Sequence, residues 1–192
     1  MTRYFEMEQD LHVPGRWYLS DPTDQQGRAL DWIFARGQPV QVQGLIKVEL
    51  NPHAEKGRPV DYSELALDAV PVVHVRVAAV LSELAPADVQ IFPVKIEGQP
   101  DQFCIVNVTR VVKCIDDGKS EYVAYYTEDC DEVFRPKIGQ YRTVLGMKID
   151  PTRVGDAKIF RPWGWRVALI ISEEIKGALE RIGTEGVRFS EV

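Results

Sequence analysis

The chain has 192 residues, 45% hydrophobic and 27% charged, with a net charge of −6. That balance supports a sizeable core, suits one domain or one domain with a substantial extension, and argues against disorder. The acidic excess disfavours non-specific nucleic-acid binding and favours basic partners. No apolar run approaches the roughly eighteen residues of a membrane span, and acids in Met1–Asp10 stand where a signal peptide needs apolar residues, so the cytoplasm is the expected location.

Residues 1–75 are rich in turns. Tyr4 to Met7 fits a strand, Pro14-Gly15 and Asp21-Pro22 punctuate the chain, and Trp32, Ile33 and Phe34 form a short apolar piece. Gly44 precedes a strand over Leu45 to Leu50. The aromatic residues of this portion are expected to anchor it to a core formed by residues 76–192, the whole chain making a single α+β domain. Val77, Val80, Leu81 and Leu84 follow the i, i+3, i+4, i+7 spacing of an amphipathic helix, which Pro86 ends.

Val89 to Ile96 reads as a strand. Pro93 lacks an N–H and predicts a sheet edge or a bulge there. The turn Gly98 to Asp101 joins it to a second arm running from Phe103 to Ile115. In that arm Cys104, Val106, Val108, Val112 and Cys114 share one face, with Asn107, Thr109 and Lys113 on the other, a pattern that predicts a sheet with one wet side. Arg110 interrupts it and either pairs or marks an irregularity. Asp116-Asp117-Gly118-Lys119 signals a second hairpin, returning as a strand over Glu121 to Thr127. Glu128 to Gly139 is a charged loop, Tyr141 to Ile149 is ambiguous, and Asp150-Pro151 opens a loop to Phe160.

Trp165, Val167, Leu169 and Ile171 alternate with Ala168 and Ile170, so both faces of this strand are apolar and it is expected inside a sheet. Ser172 is a good N-cap. Glu173 and Glu174 sit at the positive end of the helix dipole, and Ile175, Ala178, Leu179 and Ile182 form the buried stripe. Gly183 fits the C′ position, and a last strand follows. The expected fold class is therefore α+β, a mostly antiparallel sheet with a few short helices.

Reactive chemistry is hard to find. The chain has no GxGxxG, Walker loop, GxSxG or HExxH. His12, His53 and His74 lie far apart, with no ligand spacing to cysteine or carboxylate. His74 suits a core or strand position better than a base, and His53 a solvent-exposed one. Three cysteines do not make a disulfide framework. Cys104 and Cys114 would stand roughly 33 Å apart in a continuous strand, against about 7 Å for a disulfide. Carboxylates around Cys130 should lower its reactivity.

Charge is uneven. Seven acids and one lysine occupy 116–132, and eight bases against two acids occupy 135–166. Either the two segments neutralise each other or stay solvated, or the acids meet a basic partner, which chiefly raises on-rate and selectivity. Asp129, Asp131 and Glu132 lack the spacing and glycine of an EF-hand calcium loop. Trp163 and Trp165 flank Gly164. One is expected to cover the core while the other is free to be an interface anchor.

Val13 to Leu19, Val154 to Trp165, Ala168 to Arg181 and Thr184 to Phe189 together resemble the eleventh immunity-protein family of bacterial polymorphic-toxin systems, formerly a domain of unknown function. The resemblance is strongest from about residue 75 onward. It implies a cytoplasmic protein that binds a cognate toxin and blocks it, and it carries no catalytic motif and no contact residue. The expected reading is a non-enzymatic inhibitor without cofactor or metal, acting by surface occlusion on a toxin, basic if the acidic loop is the interface. Asp129, Asp131, Glu132 and Trp163 are its candidate contacts. The alternatives are an enzyme using His74 or the acidic cluster, and an interaction module self-associating through the edge strand at Pro93.

Overall fold

The computed structural model describes residues 2–30, 33–53, 57–65 and 69–192. Trp32 lies outside the described residues. The fold is α+β, with twelve strands among the described residues in two five-stranded sheets and one two-stranded ladder. Most pairs are antiparallel.

The first sheet is formed mainly by the two ends of the chain. β1 (Tyr4–Gln9) lies between β11 (Ile170–Ser172) and β12 (Val187–Glu191), and β10 (Ile159–Pro162) and β7 (Val111–Val112) complete the order β12-β1-β11-β10-β7. The second has the order β2-β5-β6-β4-β3, from β2 (Ile46–Val48), β5 (Val89–Ile96), β6 (Phe103–Val108), β4 (Val70–His74) and β3 (Tyr62–Leu65).

Side chains alternate across a strand, and here both faces are used. Phe5, Met7, Ile159 and Ile171 of the first sheet meet Val73, Cys104, Val106 and Val108 of the second in a central core. α1 (Val75–Leu84) and α2 (Glu173–Arg181) close that core through Val77, Leu81, Ile175 and Leu179. The outer face of the second sheet, with Val72, Phe103 and Ile105, packs under Trp17, Leu19 and Phe34. The outer face of the first, with Tyr4, Phe160 and Ile170, packs under Tyr141, Val144, Met147 and Ile149.

Both helices form where the sequence places them, and the caps of α2 follow it. Ser172 Oγ accepts from the Ile175 N–H at 3.5 Å, and Gly183 stands at φ 64° just past α2. The β5–β6 hairpin forms as the turn at 98–101 predicts. β11 is central to its sheet.

Several expectations change. The sheet through Phe103–Val108 has no wet side: the first sheet covers one face of β6 and the turn-rich N-terminal portion the other. The arm from 103 to 115 is two strands in two sheets. It breaks at Thr109–Arg110, where Arg110 pairs with Asp88 (3.3 Å) and Asp156. β5 is an interior strand, so self-association through an edge at Pro93 loses its basis. Pro93 falls one residue before β2 begins to pair at Ile46–Val94, which spares a ladder bond. The strand expected from Trp165 starts only at Ile170, because Trp163-Gly164 is a turn with Gly164 at φ 77°. The 116–119 turn forms, but its returning strand pairs elsewhere, as described below.

Candidate functional site

β8 (Tyr122–Tyr125) pairs antiparallel with β9 (Tyr141–Leu145) in a separate two-stranded ladder. Val123 and Val144 face each other and pack toward the core, while Tyr122 and Leu145, also opposite each other, remain exposed. The loop joining the strands holds one 3-10 helix, Glu132–Lys137. Its neck is closed by Tyr126 N–H donating to Gln140 O (3.0 Å) and Gly139 N–H to Tyr126 O (2.9 Å). Inside it the Tyr126 and Phe134 rings stack at 5.3 Å, with Lys137 Nζ 5.8 Å from each.

The base of the hairpin is tied to the preceding turn. Tyr141 Oη donates to Asp117 Oδ1 at 2.7 Å, and Tyr125 Oη donates to the other oxygen of the same carboxylate. Burial first, then the bond to Asp117, holds the Tyr141 phenol well above its ordinary pKa. Asp116 Oδ1 accepts from the N–H groups of Gly118 and Lys119, both at 3.2 Å.

The predicted contact residues lie on this hairpin and beside it. Asp129, Asp131 and Glu132 are exposed on the loop. Asp129 accepts from Thr127 Oγ1, and that bond, helped by nearby Arg142, keeps its carboxyl below the usual range. None of the three acids is in an ion pair among the described residues, although Arg142 of the basic segment lies near enough to act on Asp129. Trp163 is 40% exposed and carries Lys113 Nζ 5.0 Å from its ring centroid. Trp165 is partly buried against the core, giving the division of labour the two tryptophans suggested. The turn between them abuts the hairpin: a Cβ on Gly164 would stand 3.1 Å from the Tyr141 ring. Loop and turn therefore form neighbouring parts of one surface.

Between them opens a cleft of about 440 Å³. Lys137, Arg142, Tyr126 and Tyr141 line it from the hairpin, Trp165 and Arg166 from the turn, and Arg36 from the N-terminal portion. The bases of 135–166 were visible in sequence, but their grouping was not. It needs three distant segments to meet, and Arg36 lies outside the charged stretch altogether.

The other candidates have structural roles. His74 Nδ1 accepts from the Arg76 N–H at 3.2 Å and caps α1, with its ring edge-on to Phe103 at 5.4 Å. His53 is exposed. Cys104 and Cys114 are free and buried, and burial pushes the Cys114 thiol up to about 12. Among the described residues no set of three His, Cys, Asp or Glu is placed to hold a metal ion. No described helix is long and apolar enough to cross a membrane.

Fold and surface together describe an α+β protein whose distinctive feature is a projecting, charged and partly apolar hairpin. The profile of the immunity protein family (Imm11) matches residues 1–192, the whole chain, and the chain belongs to that family. Membership carries a role in toxin immunity. No curated protein matches the chain.

Proposed function

We propose that this protein is a cytoplasmic inhibitor that binds a cognate toxin and blocks it by covering the toxin's working surface. The inhibition asks for shape and charge complementarity and for no bond made or broken by the chain. Family membership supports the role. The choice of surface rests on one observation, the clustering of large exposed apolar side chains on the hairpin and the turn beside it. Val133 is 74% exposed, Tyr122 55% and Leu145 54%, and Ile138, Trp163 and Val167 are exposed with them. Stable inhibitory complexes bury about 1,600 Å² in total and draw most of their affinity from a few such anchors. The acids Asp129, Asp131 and Glu132 beside these anchors suit a partner with basic residues at the matching rim.

Co-purification with the toxin encoded next to this gene tests the role. Val133→Asp and Trp163→Ala, each measured by calorimetry, test the surface. A central anchor is expected to cost about 2 kcal/mol, or roughly thirtyfold in Kd. Charge reversal at Asp129 and Asp131 is expected to slow association, with a smaller effect on dissociation. Unchanged affinity and rates in all these variants would remove the hairpin as the interface.

A further inference from the structure

We propose that the cleft between the hairpin and the Trp163–Gly164 turn is a binding site for a small phosphate-bearing anion. Arg36, Lys137, Arg142 and Arg166 line it, and among the described residues no carboxylate does. None of the four is in an ion pair among the described residues, although most other arginines of the chain are. Two are held in place by other contacts. Arg166 Nη1 donates to the Arg36 carbonyl at 3.0 Å, which ties the two cationic segments together. Lys137 lies against the Tyr126 and Phe134 rings.

Four like charges around one concavity repel, and the arrangement relaxes when a multiply charged anion enters. Arginine forks match phosphate oxygens two at a time, and a phosphate has oxygens and charge enough to engage several cations where a carboxylate's two oxygens serve one fork. A volume of about 440 Å³ is the size of a small-molecule site. The net charge of −6 opposes a long polyanion such as a nucleic acid, whose backbone would run past the acids of the same surface. Tyr126, Tyr141 and Trp165 supply aromatic walls against which a planar ring attached to the phosphates can rest. The inference is independent of the toxin-binding reading and concerns the isolated protein.

Isothermal titration with pyrophosphate and with ADP, in 50 mM and 200 mM salt, tests it. Both probes are expected to bind, more weakly at the higher salt. ADP at least tenfold tighter assigns the site to a nucleotide, and equal affinities assign it to the phosphate group alone. The double variant Arg142→Ala/Arg166→Ala is expected to weaken binding at least tenfold with an unchanged circular dichroism spectrum. Asp129→Asn, which removes an acid that interacts with Arg142, is expected to tighten it. Failure of both probes to bind at millimolar concentration, or binding by the double variant equal to that of the native chain, overturns the proposal.

Discussion

Replacing Ser63 with alanine tests the bonds that hold the first turns of the chain to β3. Ser63 Oγ lies 2.9 Å from Trp17 Nε1 and 3.1 Å from Arg16 Nη2, and accepts from both. All three residues are buried, with Trp17 fully so. Arg16 keeps other acceptors, among them the Asp10 carbonyl at 2.6 Å and Gln9 Oε1 at 3.2 Å, so its loss is about 0.5–1.5 kcal/mol. The indole N–H has no second acceptor among the described residues, and stranding it costs about 1–3 kcal/mol. The expected destabilisation is therefore about 2–4 kcal/mol, read from urea unfolding. In a Trp17→Phe background the indole donor is gone, and the same change should cost no more than about 1.5 kcal/mol. We further propose that the chain unfolds as one cooperative unit, so that circular dichroism and tryptophan fluorescence give coincident transitions. A cost below about 0.5 kcal/mol, or an equal cost in both backgrounds, would refute the bonding argument. Separated transitions would refute the single unit.

Two further outcomes follow from local geometry and burial. Gly186 stands at φ 90°, and a Cβ there would lie 2.6 Å from the Tyr62 carbonyl, whereas Gly183 at φ 64° has open space. Gly186→Ala should cost about 2–4 kcal/mol and Gly183→Ala about 1 kcal/mol by urea unfolding, and equal costs would contradict the clash. Glu6 is pushed up to about 7, by burial first and then by Glu8 and Glu64, with Arg188 opposing. The folded state then holds a proton that the unfolded state releases near 4.5, so stability falls as pH rises from about 4.5 to about 7. Glu6→Gln removes that loss. Its stability advantage over the native chain should be larger at pH 8 than at pH 5, and an advantage independent of pH would contradict the assignment.

What could be read from sequence was local. Ser172, the acids after it and Gly183 mark α2 within a dozen residues, and the turn at 98–101 sets the β5–β6 register. What could not be read depends on distant partners. Arg110 breaks its strand because its guanidinium meets Asp88 and Asp156, one on each side in sequence. The 116–119 turn has hairpin chemistry, yet β8 pairs with β9, where Val123 and Val144 together reach the core. β3 and β4 were missed because Pro71 and the surrounding turns mask a short apolar run that tertiary burial turns into strands. For the site, exposure of Asp129, Asp131 and Glu132 was readable from their charge, whereas the different exposures of Trp163 and Trp165 come from the Gly164 turn between them and not from strand alternation. The cleft was not, since it exists only where Arg36, the hairpin neck and the Gly164 turn converge.

If the hairpin is the interface proposed above, it separates the work of folding from the work of recognition. Its two strands are secured at the base, through Val123 and Val144 against the core and Tyr141 on Asp117. No residue from Tyr126 to Gln140 is buried, and the loop holds its shape through its own neck bonds and the Tyr126–Phe134 stack. Substitutions at exposed loop positions away from such features change stability by roughly 0.5 kcal/mol or less, while anchors at an interface change affinity by several times that amount. An inhibitor of the kind proposed, matched to one toxin, would gain from that arrangement. Residues at Val133, Ile138 or Glu132 can change with the partner while the three buried cores that hold the hairpin in place remain the same.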